Sequence, residues 1–145
     1  PTLTAGTDGI LFSYQNPAGG VSQPPRTLVV CGITISAGVQ VVLAGGPLNL
    51  VFGIAYGHTS LSLATTETGS FVTATTKAPR RVNVGVLNAV VTAAAGTGLG
   101  QIDVSFQSPI VVNPGEYFAI TMRNVGTVTT SGALVISACP DHYLE

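Results

Sequence analysis

The side chains with most chemistry to offer stand together at His58-Thr59-Ser60, an imidazole base beside two hydroxyls. A nucleophile activated by a base needs the two side chains within hydrogen-bond reach, and neighbours on an extended chain point to opposite faces. A working pair would need partners from elsewhere, and no G-x-S-x-G elbow supplies one. The expectation for His58 is a loop histidine with ordinary hydrogen bonds. Metal ligands are equally thin. Cys31, Cys139, His58, His142 and the six carboxylates include no C-x-x-C or H-x-x-x-H spacing, so no metal and no cofactor is expected. Gly96-Thr97-Gly98-Leu99-Gly100 superficially resembles a phosphate-cradling loop, but a dinucleotide fingerprint requires a strand before it, a helix after it and a βαβ frame. None of these is legible around it, and the chain is read as no enzyme.

Charge is the other source of chemistry. Lys77-Ala78-Pro79-Arg80-Arg81 holds three of the five basic residues, while the last residues supply Asp141 and Glu145. Planar guanidinium groups pair with carboxylates through two parallel bonds, so Arg80 or Arg81 is expected to meet that tail or a neighbouring subunit's acid, with a solvated turn as the alternative. Phe12 and Tyr14 near the amino terminus, Lys77, Arg80 and Arg81, and Asp141, Tyr143 and Glu145 are the candidate contacts to other subunits or to a larger partner.

The elements that must position these groups read as strands. In IDVSF, Ile102, Val104 and Phe106 alternate with Asp103 and Ser105, the period of a half-buried strand. Asn113-Pro114-Gly115 then offers a fixed φ followed by a residue that tolerates positive φ. Beyond it Phe118, Ile120 and Met122 share one face, which predicts a β-hairpin with one wet and one dry side. In RTLVVCGITIS (26–36), Val29, Cys31, Ile33 and Ile35 fall on one face and Leu28 and Val30 make the other apolar, as in a central strand. LNLVFGIAYG keeps period 2 through Leu48, Leu50, Phe52, Ile54 and Tyr56, with Gly53 marking a bulge or close backbone approach. Val82, Val84 and Val86 alternate in RVNVGVL. A last strand over 133–138 carries Leu134 and Ile136 inward, and Pro140 ends it, leaving 141–145 as a tail. Residues 45–47 break the chain before Leu48, and Leu61 and Leu63 belong to a short helix or a strand.

Residues 1–25 are rich in Gly, Pro, Asn, Ser and Thr around the single cluster Ile10, Leu11, Phe12 and Tyr14. They read as an extended amino-terminal arm with one short strand, followed by a single β-sandwich domain over 26–145. No capped amphipathic helix pattern appears. About eight strands between Gly/Pro turns imply an all-β, antiparallel sandwich or barrel, with a jelly roll favoured.

Composition limits the partners. The 145 residues suffice for one domain that buries roughly 70 % of its unfolded surface. Only 8 % are charged and 46 % are hydrophobic, with a mean hydropathy of +0.51, against the roughly 25–35 % charge of a well-solvated surface. Part of this surface is expected to meet protein. No apolar run reaches membrane-spanning length and there is no Trp, which argues against a membrane partner. A net charge of −1 gives no electrostatic footprint for nucleic acid. Cys31 and Cys139 are expected as two reduced, buried thiols rather than a bridge, and no secretory signal is visible.

The strings AYGHTSLSLATTE, ATTKAPRR, PGEYFAI, VGT and DHYLE resemble small structural proteins encoded among the head genes of tailed bacteriophages. The resemblance runs over most of the chain from Arg26 onward. It implies a virion component of the capsid decoration or cement type, with a jelly-roll-like fold. Such a protein would be made in the host cytoplasm and bound to the capsid surface. Its partners would be the phage major capsid protein and itself, as a homodimer or homotrimer. No functional residue carries over from the family. The competing expectation is a receptor- or carbohydrate-binding β module of a head fibre or tail, since jelly rolls also serve as lectins.

Overall fold

The computed structural model describes residues 2–3, 8–41, 48–59, 79–89, 95–125, 130–131 and 134–145, and every element among them is a strand. In chain order these are β1 (Thr2–Leu3), β2 (Asp8–Gln15), β3 (Leu28–Val39), β4 (Leu48–His58), β5 (Arg80–Ala89), β6 (Gly98–Val112), β7 (Tyr117–Asn124), β8 (Thr130–Ser131) and β9 (Leu134–Leu144). The readings at residues 45–47, Leu61, Leu63 and Lys77 lie outside the described residues.

Two antiparallel sheets carry the fold, one in the order β2-β7-β4-β5 and the other β6-β3-β9, and β1 pairs separately with β8. The sheets do not close on each other, so the chain is an open sandwich rather than a barrel. Period-2 patterning explains the core between them. Leu48, Leu50, Phe52 and Ile54 of β4 and Phe118, Ile120 and Met122 of β7 face Leu28, Val30, Ile33 and Ile35 of β3, all buried.

Residues 102–122 contain the reversal the sequence predicts, but not the hairpin. The amide of Glu116 donates to the carbonyl of Asn113 at 3.0 Å, and Gly115 takes φ 83°, as a Pro-Gly turn requires. Yet β6 pairs with β3 while β7 pairs with β2 and β4. The turn therefore carries the chain from one sheet to the other. Ile110 and Val112 on β6 and Phe118 and Ile120 on β7 belong to one core, and alternation marks a dry face without saying whether the next strand lies beside it or across that core.

β3 is central in its sheet, as read, but its face is not continuous. The register slips between Val30 and Gly32 against both neighbours, so Leu28 and Val30 point inward and then Ile33, Ile35, Ala37 and Val39 do. Val29 and Cys31 consequently fall on the other side from Ile33 and Ile35. Gly32 occupies this kink because a Cβ there would lie 2.7 Å from the Val104 carbonyl oxygen. Both cysteines are free thiols, but Cys31 is only half-buried and Cys139 is exposed.

The amino-terminal cluster belongs to the sandwich. Asp8–Gln15 forms β2, laid along β7 from Asp8↔Arg123 to Gln15↔Tyr117, and Leu11, Phe12 and Tyr14 pack against the core. At the other end, Pro140 does not terminate the last strand. β9 continues to Leu144, paired with β3 from Val39↔Leu134 to Leu28↔Leu144, so the expected tail is strand. Thr27 and Glu145 exchange both backbone hydrogen bonds at 2.9 Å, which turns the odd-numbered residues of β9 toward β3. Pro140 is even-numbered. Its missing N–H faces the open edge, where no ladder bond is lost.

Candidate functional site

The candidate contacts fall at two margins of the sandwich. Phe12 and Tyr14 of β2 meet the carboxy-terminal strand at one of them, lining a narrow cleft of about 30 Å³ with Leu28, Val30, Phe118, Pro140 and His142. Phe12 packs edge-on against Phe118 with ring centroids 6.5 Å apart. Asp141, Tyr143 and Glu145 lie exposed on or just beyond β9 at this same margin. The phenol of Tyr143 is pushed up by loss of solvent and then by the charge of Glu145, so it stays protonated at neutral pH.

Arg80 and Arg81 stand at the other margin, on β5, the far edge of the four-stranded sheet. Arg80 is exposed and holds its guanidinium 5.9 Å from the centre of the Tyr56 ring. Arg81 is half-buried opposite Ala55. β5 packs beside β6, and β9 lies two strands from β6. The fold thus holds these arginines and the acids of 141–145 at opposite margins and does not bring them together within one chain.

Sequence reasoning missed a cleft on the outer face of the four-stranded sheet. Registers place Arg123, Val51 and Val86 in one row across the strands, then Thr121, Gly53 and Asn83, then Ala119, Ala55 and Arg81, and finally Tyr117 and His58. Gly53 floors a depression of about 270 Å³ whose lining includes Arg81, Asn83, Thr121 and Arg123. A Cβ at Gly53 would sit 3.1 Å from the Val82 carbonyl oxygen and 3.2 Å from the Thr121 hydroxyl. The sequence signal was Gly53 itself, since the bulge it suggests does occur against β5. Its polar walls come from β5 and β7, far away along the chain.

His58 is a correction. It ends β4 after a register slip at Gly57, whose φ is 77°, and is fully buried rather than looped out. Its ring stacks on Tyr117 at 5.5 Å, and among the described residues neither ring nitrogen has a hydrogen-bond partner. Burial, then the positive charge of Arg81, hold its pKa below 6.5, against the opposite pull of Glu116. The ring is held in its neutral form at neutral pH. Among the described residues no group of His, Cys, Asp and Glu is arranged to hold a metal ion.

Comparison with known proteins finds no family model, no curated protein and no solved structure that matches this chain.

Proposed function

We propose that this chain is a virion structural protein of the capsid decoration or cement type, which adheres to the outside of a phage capsid and stabilises the shell through protein–protein contacts. One observation carries the reading. The three-stranded sheet exposes Val111 (50 %), Val135 (56 %), Tyr143 (48 %) and Leu144 (44 %), and the exposed acids Asp103 and Asp141 are its few charges. Half-exposed large apolar groups on a charge-poor sheet suit burial against another protein surface. Arg80, exposed and held at the margin away from residues 141–145, is then available to an acid of a neighbour.

Strand order supports a jelly roll. Setting aside the two-residue strands, successive strands alternate between the sheets except from β4 to β5, as in interleaved Greek keys.

The test is to mix purified protein with undecorated shells assembled from phage major capsid protein. Saturable, stoichiometric binding and a raised shell-disruption temperature are expected. Shells that neither bind it nor gain stability overturn the reading. The cleft over Gly53 favours a second reading, a glycan-binding module, because arginine, asparagine and threonine around a small floor suit a hydroxylated or acidic sugar. Glycan binding without shell affinity would select it.

A further inference from the structure

We infer that β9 is a self-pairing edge: two copies of this chain join β9 to β9 antiparallel about a two-fold axis at Cys139, making one continuous six-stranded sheet. The inference deepens the self-association that the resemblance implies; it places Val135, Tyr143 and Leu144 at the seam between copies and leaves Val111, on the opposite edge strand β6, clear of it.

Three observations converge on it. First, among the described residues β9 pairs with β3 alone, so its other side is a sheet edge. The Thr27–Glu145 pair fixes the parity: the even-numbered residues Leu134, Ile136, Ala138, His142 and Leu144 direct their N–H and C=O groups outward, a template for another strand. Second, Cys139 is the middle residue of Leu134–Leu144, and the pattern LVISACPDHYL is nearly symmetric about it. An axis there sets Leu134 opposite Leu144 of the second copy, Val135 opposite Tyr143, Ser137 opposite Asp141, and Ala138 opposite Pro140. The exposed apolar groups of each copy cover those of the other. Asp141 of each copy meets the Ser137 hydroxyl of the other, and no like charges oppose within the paired strands. Third, odd-numbered Cys139 directs its backbone groups toward β3, so the two Cys139 residues form a non-hydrogen-bonded pair. Such pairs have Cα atoms about 4.5 Å apart, within the range of a disulfide. The Cys139 thiol is free and exposed.

The arrangement has an identifiable cost. Pro140 offers no donor to Ala138 of the second copy, and its own carbonyl is engaged by Nδ1 of His142 at 3.2 Å. The edge is blunted next to its centre, so the pairing is reversible rather than the start of a fibre. A two-fold contact uses both edges and stops at two.

Charge exchange tests the register. Val135→Lys with Tyr143→Lys places lysine opposite lysine twice across the axis, whereas Val135→Lys with Tyr143→Glu places lysine opposite glutamate. Both double variants change the same exposed positions, so a shared folding penalty cancels. Sedimentation should show the Lys/Lys protein dissociating about ten-fold more readily than the Lys/Glu protein. Oxidation by copper phenanthroline gives an independent readout, in which two thiols surrender two protons and two electrons to the oxidant and form one S–S bond. The wild type and Cys31→Ser should yield a reducible dimer, and Cys139→Ser none. Equal dimerisation of the two charge variants, a wild-type monomer at every concentration, or cross-linking that needs Cys31 overturns the inference. A monomer that still binds shells would leave the capsid reading intact, and a dimer that ignores them would do the reverse.

Discussion

The side-chain amide of Asn16 donates to the carbonyl of Val112 at 2.9 Å, tying the end of β2 in one sheet to the end of β6 in the other. The same nitrogen donates to the Arg26 carbonyl at 2.7 Å, while its backbone exchanges bonds with Glu116 and Gly115. Asn16 is 1 % exposed, so a lost partner here is not replaced by water.

Asn16→Ala should therefore cost about 2–4 kcal/mol, the loss of two hydrogen bonds with a buried carbonyl left unmet. Urea unfolding should show a lower midpoint with an unchanged slope. A variant within about 0.5 kcal/mol of wild type would mean that the amide does not hold the two sheets.

Gly32 and Gly20 should respond in opposite directions to alanine. At Gly32 the new methyl meets the Val104 backbone oxygen at 2.7 Å, and neither strand can yield without disturbing the β3–β6 ladder. A loss of about 1–3 kcal/mol is expected. At Gly20 nothing lies within 4 Å and φ is ordinary, so alanine should stabilise by about 0.4–1 kcal/mol by restricting the unfolded chain. Thermal denaturation of the two variants decides it.

Protonation of His58 should destabilise the protein as pH falls. Its folded pKa lies below 6.5, so the unfolded chain binds the proton more readily. The stabilisation is complete above the unfolded value and is lost as pH falls through 6.5 toward the folded pKa, at up to about 1.4 kcal/mol per pH unit. His58→Phe keeps a ring on Tyr117 and should flatten that slope. Denaturant midpoints compared at about pH 7.5 and about pH 5 provide the measurement.

Phe118 on β7 and Val86 on β5 belong to the same four-stranded sheet but differ sharply in burial. Phe118 is fully buried and packs on Phe12, so alanine should cost about 3–5 kcal/mol. Val86 is 52 % exposed on an edge strand, and alanine there should stay within about 0.5 kcal/mol. Parallel urea titrations would expose any error in the assignment of the core.

Short-range information determined a great deal. Alternation picked out Leu48, Leu50, Phe52 and Ile54 as a buried face, and Phe118, Ile120 and Met122 as another, because side-chain direction along a strand depends only on local geometry. The Asn113-Pro114-Gly115 reversal and the bulge at Gly53 were legible for the same reason: φ limits and missing side chains act within a few residues. What tertiary structure alone decided was pairing. That β6 and β7 part into different sheets, that residues 141–145 extend a strand past Pro140, that His58 is buried against Tyr117, and that Asn83, Thr121 and Arg123 gather over Gly53 all depend on which strands meet. Those contacts join residues distant in the chain, and a period-2 pattern satisfies many such partners equally well until the whole core is assembled.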